Sequence, residues 1–293
     1  MDIDTYTPLN PHSTPLSYPL LLPLTPVEST YSLPTWRTWF TTHWTYSILI
    51  SVIYVVLIFT IQILMKNRRP FELRKFLTVW NFALALFSLG GTLRTWPEMG
   101  FILWGEGGGG WWGSCCSRNH HNVGAAFWGL LFTLSKAVEL GDTVFIVLRK
   151  QPLIFLHWYH HITVLTYTWY TYPTYDATSR WFMVMNYPVH ALMYSYYGLK
   201  SLRLLRIPRP ISMLITLLQL SQMVLGVVVN CYAVWVLKFT DRDCVVKEEH
   251  LTLALVMYAS YFALFAKFFW GAYGKRRSAG GRSQKEVKLS KSE

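Results

Sequence analysis

The sequence predicts an all-α, polytopic membrane protein with seven transmembrane helices. Hydrophobic residues make up 52% of its 293 residues and charged residues only 14%, whereas a soluble domain carries about 25% charged residues. A membrane-spanning helix needs about 20 mostly apolar residues. The chain has seven such runs, and the polar connections between them leave no room for a soluble domain. They lie approximately at 44–65, 77–96, 124–148, 153–172, 181–199, 211–237 and 250–273.

Composition divides the chain into three regions. Residues 1–43 are rich in Pro, Ser and Thr, and their apolar stretch is broken by prolines and has no basic start. We therefore do not interpret it as a cleaved signal peptide. Residues 44–274 hold the seven apolar runs, and 275–293 form a basic tail. Aromatic residues just before and at the start of the first run are typical of a membrane interface. They are Trp36, Trp39, Phe40 and Trp44.

The basic residues predict the orientation. Eighteen Lys and Arg residues fall in the connections after the first, third and fifth runs and in the tail, against six on the opposite side. Because cytosolic segments carry the excess of Lys and Arg, we expect a luminal N-terminal segment and a cytosolic tail. The net charge of +12 therefore reflects topology and does not indicate nucleic-acid binding.

The connections on the predicted luminal side carry three of the four cysteines. An oxidising lumen permits a disulfide between the connections, which would join Cys115 or Cys116 to Cys244. The sequence does not decide between the two pairings, and free thiols are the alternative because the Cβ geometry is unknown. The glycine run 107–110 lacks the strand and the Lys of a phosphate-binding loop, so we expect a flexible loop there.

Three histidines of the fourth run are the most informative feature for function. His157, His160 and His161 lie within a predicted span, where ionisable side chains are costly and mark functional sites. Positions i, i+3 and i+4 share one face of a helix, so all three imidazoles are expected to face one cavity. Imidazole acts as a base, a nucleophile or a metal ligand near neutral pH.

Other predicted spans carry polar residues at the same depth. With a helix rise of about 1.5 Å per residue, these side chains lie in the cytosolic half of the membrane, which predicts a chamber open to the cytosol. Lys136 with Glu139 also has the i,i+3 spacing of a self-neutralising ion pair, and Gln219 with Gln222 equally suits bonding between helices. The set comprises Lys136, Glu139, Asp142 and Thr143; Asn186, His190, Tyr194 and Tyr197; and Thr216, Gln219 and Gln222.

Four spaced motifs make the chain resemble the ELO family of fatty acid elongases over about 77–273. The motifs occur in the family's order, and together they are far more specific than any one alone. They are the histidine box His157-Trp158-Tyr159-His160-His161; Lys136, Glu139, Asp142 and Thr143 of KxxExxDT; Asn186, His190, Met193, Tyr194, Tyr196 and Tyr197 of NxxxHxxMYxYY; and Thr216, Gln219 and Gln222 of TxxQxxQ.

The resemblance implies the condensing step of microsomal elongation. Acyl-CoA and malonyl-CoA would give 3-oxoacyl-CoA, carbon dioxide and CoA, with no cofactor and no metal. The residues in and around the motifs are most similar to those of the subgroup that acts on saturated and monounsaturated chains. It also implies an endoplasmic reticulum location and three partner enzymes: a 3-ketoacyl-CoA reductase, a 3-hydroxyacyl-CoA dehydratase and an enoyl-CoA reductase. The oligomeric state stays open, a homo-oligomer included.

The resemblance also suggests roles for the site residues. His160 would be the nucleophile, forming an acyl-imidazole, because no cysteine lies in the polar layer. His190 would stabilise the developing oxyanion or enolate, and His157 and His161, with Asp142, would fix tautomer and orientation. The remaining polar residues of the motifs would contact substrate. Basic residues on the cytosolic side would attract CoA phosphates, unless they are only a topology signal; they are Arg149, Lys150, Lys200 and Arg203.

Two rival functions are weighed against this one. A membrane di-iron desaturase or hydroxylase also uses HxxHH boxes, but it needs several of them, and here one box plus His190 supplies too few ligands for two irons. A seven-helix transporter or receptor would use the polar layer as an ion path. Condensation of labelled malonyl-CoA separates the three.

Overall fold

The structure, a computed structural model, describes residues 23–106, 108–117, 122–203 and 207–271. The predicted tail 275–293 and residues 1–22 lie outside these ranges. The described residues contain helices and connections but no strand. In chain order the helices are α1 (Pro26–Ser29), α2 (Leu33–His43), α3 (Tyr46–Met65), α4 (Arg74–Trp104), α5 (Gly110–Cys116), α6 (Val123–Val138), α7 (Gly141–Leu148), α8 (Phe155–Thr171), a 3-10 turn (Tyr172–Thr174), α9 (Ser179–Leu202), α10 (Arg209–Phe239) and α11 (Glu248–Phe269).

The all-α prediction is confirmed, and the chain is a multi-pass membrane protein. Among the described residues, α3, α4, α10 and α11 are long and apolar enough to cross a membrane. Their apolar side chains face outwards over much of their length, as lipid-facing helices require. The other three predicted runs are also helical: α6 with α7, α8, and α9. These three carry the polar residues that the sequence singles out.

The third predicted span is two helices, because the chain breaks between α6 and α7. The backbone N–H of Asp142 donates to the carbonyl of Glu139 at 3.1 Å, a tighter turn than the α-helical bond. A Cβ on Gly141 would lie 2.8 Å from the ring of Trp80, so only glycine fits beside this indole. The break therefore lies within the motif that runs from Lys136 to Thr143, and Gly141 lets α7 pack against Trp80 of α4.

One end of the helices, which we call the basic end, collects the ends of α3, α7 and α9 and the start of α4. The Phe71 N–H donates to the Leu148 carbonyl at 3.1 Å. The Lys150 ammonium donates to the Lys66 carbonyl at 3.0 Å. The Arg74 guanidinium donates to the last carbonyls of α9, the favoured place for a cation at a helix C-terminus.

The opposite end, which we call the disulfide end, joins distant connections covalently. Of the two predicted pairings, the structure has Cys116 bonded to Cys244, 128 residues apart, with a Cα–Cα distance of 4.3 Å. The Val245 N–H donates to the Cys116 carbonyl at 2.9 Å, and the Ala177 N–H donates to the Val245 carbonyl at 3.0 Å. The α10–α11 connection is therefore tied to α5 and to the segment before α9.

Cys115 stays a free thiol beside this disulfide. It is buried in α5, and burial raises the pKa of its thiol to about 11. Because only the thiolate attacks a disulfide, Cys115 is protonated at neutral pH and does not exchange with the neighbouring bond.

The glycine run differs from its prediction as a flexible loop. Gly108 is packed against α4, where an added Cβ would lie 2.3 Å from the Phe101 carbonyl oxygen. Gly109 has φ +81°, a left-handed conformation that favours glycine, and α5 begins at the next residue. The glycines thus permit a close approach and a sharp helix start, and Gly107 lies outside the described residues.

Residues 23–43 pack onto the membrane domain. Glu28 in α1 accepts hydrogen bonds from the Arg94 guanidinium at 2.8 and 2.6 Å and from the Trp128 indole at 2.9 Å. In α2, Phe40 is fully buried and its ring lies 5.3 Å from Trp169 and 4.5 Å from Tyr172. Phe40 is thus a core residue, not part of an interfacial belt.

Candidate active site

The three histidines of α8 form one group, as their spacing predicts. The ring centroids of His157 and His161 are 4.6 Å apart, and those of His160 and His161 are 5.6 Å apart. His161 is buried, and the other two rings are partly buried. We call this group and the polar residues around it the histidine cluster.

His157 is held by a chain of hydroxyl groups. Its Nε2 lies 2.9 Å from Thr143 Oγ1, and that oxygen lies 2.6 Å from the Tyr54 hydroxyl. Thr143 has no exposed surface and Tyr54 almost none. Sequence reasoning missed Tyr54. Its signal was the buried stripe of α3, which holds Ser47, Ser51, Tyr54 and Ile58 at helical spacing in an apolar span.

Glu139 is the charged centre of the cluster. The Lys136 ammonium donates to its Oε1 at 2.7 Å, and the Ser135 hydroxyl donates to the same oxygen at 3.0 Å. Lys136 also donates to Asn186 Oδ1 at 3.1 Å, and His190 Nδ1 lies 4.0 Å from Glu139. Of the two alternatives for Lys136 and Glu139, the structure therefore shows the ion pair. The pair carries no net charge, and the bond from Lys136 to Asn186 links α6 to α9.

Asp142 has hydrogen-bond partners other than the imidazoles among the described residues. One carboxylate oxygen accepts a hydrogen bond from the Trp80 indole at 2.6 Å, and the other accepts one from the Tyr194 hydroxyl at 2.7 Å. With these partners Asp142 ties α7 to α4 and α9. Trp80 is a second residue that the motifs did not contain.

His160 and His161 keep unused hydrogen-bonding capacity. Among the described residues, neither ring makes a hydrogen bond to protein. The His160 ring lies 5.0 Å from that of Tyr261, whose hydroxyl is engaged with Thr163 at 2.5 Å. His160 is within electrostatic range of His190, Lys136 and Glu139. A half-buried imidazole that makes no hydrogen bond to protein is available to react with a bound molecule.

Several predicted substrate contacts lie apart from the histidines. The Gln219 amide of α10 donates to Met193 Sδ of α9 at 3.2 Å. Gln219 therefore bonds between helices, which was the alternative to substrate contact. Gln222 and Thr216 bond to carbonyls of their own helix. Tyr197 is 47% exposed. Of the three predicted polar residues of α10, Gln219 thus contributes to its packing on α9.

The four predicted CoA-binding cations lie at the basic end. Arg149 and Lys150 follow α7, and Lys200 and Arg203 end α9. All except the half-buried Arg149 are exposed. Because Arg74 and Phe71 join the ends of these two helices, the four residues occupy one surface.

A small cavity of about 50 Å³, partly open to the outside, lies between α6, α8 and α9 on the side of the histidine cluster toward the disulfide end. Thr133, three residues before Lys136, is about 5 Å along α6 from the cluster. Thr168, eight residues after His160, is about 12 Å along α8. The lining is Ala125, Gly129, Phe132, Thr133, Tyr167, Thr168, Thr171, Tyr172, Tyr175, Ser179, Arg180, Phe182 and Met183.

The described residues contain no group of three or more His, Cys, Asp or Glu side chains placed to hold a metal ion.

These features define a class: a multi-pass helical membrane protein whose buried histidines lie between a basic surface and a mainly apolar cavity. A model of the ELO family, described as the GNS1/SUR4 family, matches residues 39–281. The protein named very long chain fatty acid elongase 6 of Drosophila melanogaster is 46% identical over 264 residues, covering 87% of this chain and 83% of that protein. The Homo sapiens protein of the same name is 47% identical over 240 residues, covering 82% and 89%.

A third relative, the putative fatty acid elongase 3 of Caenorhabditis elegans, is 44% identical over 263 residues, covering 90% of this chain and 81% of that protein. The chain belongs to the ELO family. It is an enzyme of fatty acid elongation.

Proposed function

We propose that this elongase catalyses the decarboxylative condensation of malonyl-CoA with a long-chain acyl-CoA, through an acyl-imidazole on His160. The observation that carries the proposal is the ring of His160, which makes no hydrogen bond among the described residues and packs edge-on against His161 in the cluster that also holds the Lys136–Glu139 pair. The partial burial of His160 also supports it, because acyl-imidazoles hydrolyse readily and a water-poor site protects them.

The chemistry has two steps. A nitrogen of neutral His160 attacks the thioester carbonyl, the C–S bond breaks, and CoA leaves as the thiol with the imidazole proton. Malonyl-CoA then loses carbon dioxide, and its enolate attacks the acyl carbon. The new C–C bond forms as the C–N bond breaks. The departing imidazolate takes up one proton from water, which regenerates the neutral imidazole as 3-oxoacyl-CoA is released.

The neighbours of His160 have supporting roles in this proposal. His190 stabilises the oxyanion and the enolate, and Glu139, 4.0 Å from its Nδ1, favours the imidazole orientation that does so. His161 packs against the reacting ring, and His157, which is fixed by Thr143, packs against His161. Asp142 acts through Trp80 and Tyr194 by holding α7 in place.

Substrate placement follows from the surfaces on either side of the cluster. The CoA phosphates bind at the basic end, where Arg149, Lys150, Lys200 and Arg203 supply positive charge. The acyl chain passes the histidines and extends toward the small cavity between α6, α8 and α9. This geometry requires all seven predicted spans to cross the membrane, with a chamber open at the basic end.

The cellular setting extends the same proposal. The basic end is cytosolic and the disulfide end luminal, which suits an oxidised Cys116–Cys244 pair. The membrane is that of the endoplasmic reticulum. A 3-oxoacyl-CoA product needs reduction, dehydration and a second reduction to become a saturated acyl-CoA, so the partners are a 3-ketoacyl-CoA reductase, a 3-hydroxyacyl-CoA dehydratase and an enoyl-CoA reductase. The acyl substrates are saturated and monounsaturated.

Replacement of His160 tests the proposal. We expect His160→Ala to lower condensation of labelled malonyl-CoA by at least about a thousandfold and to abolish the acyl adduct on the protein. His43→Ala is the matched control, because His43 bonds a carbonyl of its own helix outside the cluster. Normal CoA release and an acyl-enzyme in His160→Ala would refute the mechanism. No condensation by the wild-type protein would refute the proposed reaction.

A further inference from the structure

Tyr261 is a buried tyrosine in the part of α11 that otherwise faces outwards. The buried residues of α11 are His250, Leu251, Ala254 and Tyr261, and the first three lie within its first two turns. Among the described residues from 255 to 269, Tyr261 is therefore the one that is buried, with 2% of its surface exposed. A tyrosine that turns inward from a lipid-facing helix needs a partner for its hydroxyl within the protein.

The hydroxyl of Tyr261 is bonded to α8 through Thr163. The two hydroxyl oxygens lie 2.5 Å apart, and Thr163 Oγ1 also lies 2.7 Å from the Tyr159 carbonyl oxygen and 3.2 Å from that of His160. A carbonyl oxygen only accepts, so Thr163 donates its single proton to the backbone of α8. Tyr261 is therefore the donor to Thr163, and its hydroxyl is fixed to α8 one turn beyond His160.

The ring of Tyr261, held in this way, lies against the ring of His160. The two centroids are 5.0 Å apart and the rings are inclined by 60°, an edge contact of the kind that aromatic pairs prefer. Because His160 makes no hydrogen bond among the described residues, packing has to orient its imidazole. Its ring contacts within the described part of the chain are with His161, on its own helix, and with Tyr261. Tyr261 is thus the ring contact that another helix supplies.

We propose that Tyr261 is a positioning residue for condensation: its ring, anchored by Thr163, holds the imidazole of His160 in the orientation that attacks the acyl thioester. The inference rests on the proposed function and extends the site to α11, which carries none of the four motifs. Tyr261 touches no reacting atom and acts through His160 alone. Misplacing a catalytic group by about 1 Å costs about a hundredfold in rate, so losing this contact slows the attack while acyl-CoA binding stays unchanged.

Tyr261→Leu, which removes the ring and its anchor, is the first test. With the full chain in detergent, we expect kcat for condensation of labelled malonyl-CoA to fall by about tenfold to a hundredfold, with KM for acyl-CoA within about twofold. The acyl adduct should form more slowly by the same factor in a single turnover with acyl-CoA alone.

Tyr258→Leu is the matched control for Tyr261→Leu. Tyr258 lies one turn earlier on α11, and its ring packs against Phe182 at 5.4 Å; among the described residues it has no ring contact with His160. Both variants lose a tyrosine ring that packs inside the protein, so both should lower the thermal unfolding temperature. Only Tyr261→Leu should lower kcat, since only that variant releases the imidazole.

The anchor is tested separately, which also covers the case in which Tyr261→Leu does not fold. Tyr261→Phe and Thr163→Val remove the same hydrogen bond and keep the ring, so each should lower kcat by about threefold to tenfold. The double variant should lose no more than either single one, because the two changes break one bond. Thr163→Ser keeps the hydroxyl and should keep kcat within about twofold.

Three results would overturn the inference while wild-type condensation leaves the proposed function intact. They are an unchanged kcat in Tyr261→Leu or in both anchor variants, an equal loss of kcat in Tyr258→Leu, and losses that add in the double variant. A wild-type protein that forms no acyl adduct overturns both the inference and the proposed function.

Discussion

The histidine cluster and the disulfide end both bury polar side chains, but they use them differently. At the disulfide end, Arg180 is 1% exposed, and its guanidinium donates to the carbonyls of Gly113, Ser114 and Ser117 at 3.2 Å each. His250 Nδ1 lies 2.5 Å from Asp176 Oδ2. Each of these contacts joins two separate segments of the chain.

In the histidine cluster, hydrogen bonds hold the outer residues, whereas the central imidazole rings make none among the described residues. Glu139, Asp142 and Thr143 each have two or more polar partners. Among the described residues, the rings of His160 and His161 have none. The two regions therefore differ in how the polar side chains are partnered and not in whether they are buried.

Loss of the disulfide is the largest expected change, and it acts on stability alone. Cys116 and Cys244 close a loop of 128 residues, and in the chain-entropy model such a bond stabilises by about 4–5 kcal/mol, less any strain. We expect Cys244→Ser to lower the thermal unfolding temperature in detergent while turnover at low temperature stays largely intact. The bond lies at the end of the molecule remote from the histidines.

The exposed Cys231 on α10 gives the matched control, and Cys231→Ser should leave the unfolding temperature unchanged. Non-reducing peptide mapping tests the bond directly. Full alkylation of Cys244 in native protein, without reductant, would contradict it.

Tyr54 offers the converse experiment at the histidine cluster, where turnover changes and stability does not. Tyr54→Phe removes the hydroxyl that holds Thr143 against His157. A misplaced catalytic group costs up to about a hundredfold, so we expect kcat to fall by about tenfold to a hundredfold with little change in KM. Steady-state kinetics on both substrates measure this, and the pH profile of kcat should change as well.

Tyr258→Phe is the control for Tyr54→Phe, since no hydrogen bond of the Tyr258 hydroxyl occurs among the described residues. Thr143→Val should reproduce the loss and Thr143→Ser, which keeps the hydroxyl, should largely avoid it. If kcat survives in both Tyr54→Phe and Thr143→Val, the hydroxyl chain does not position His157.

The sequence predicted the two regions unequally well. Apolar run lengths located every long helix, because the bilayer sets that length. The i, i+3, i+4 spacing grouped the histidines, because helix geometry is local. Local rules revealed neither the turn after Glu139 nor the bonds of Asp142 to Trp80 and Tyr194.

Contacts between distant helices were the harder part. Tyr54 reaches Thr143 across 89 positions, and the sequence alone gives no register for α3 against α7. The choice between Cys115 and Cys116 likewise depended on the start of α5, which Gly109 fixes through its positive φ. The sequence predicted a flexible loop for the same glycines, because it does not show the packing of Gly108 against α4.

Acid should weaken the contacts that attach α1 to α4 and α6. Burial alone would raise the pKa of Glu28, but hydrogen bonds from Thr25 and Trp128 and the charge of Arg94 outweigh it and hold the pKa below its usual 4.5. A lowered carboxyl pKa contributes stability that is present above pH 4.5 and is lost as the pH falls through the lowered value.

Glu28→Gln tests this contribution. We expect it to lower stability at pH 7 by about 1–2 kcal/mol, since charge-assisted bonds to Arg94 become neutral ones. Thermal unfolding at pH 7 and at about pH 4 measures the difference, which should shrink on acidification. Glu249→Gln, on an exposed carboxylate that faces Lys247, is the control. A difference that stays constant with pH would show that the Glu28 carboxylate is not ionised in the folded protein.

Metal removal is the change with the smallest expected effect, and we expect turnover to stay the same. The chemistry proposed for His160 needs a free imidazole nitrogen, and a metal ion would occupy it. The one ring nitrogen of the box with a protein hydrogen bond, on His157, faces the hydroxyl of Thr143. Two irons would need more histidine ligands than the box and His190 supply. We expect dialysis against a chelator to leave turnover within about twofold of the untreated protein. If active protein contained stoichiometric iron or zinc, and metal and activity were lost and restored together, the histidine cluster would be a metal centre. Its free ring nitrogens would then bind a metal ion instead of an acyl group.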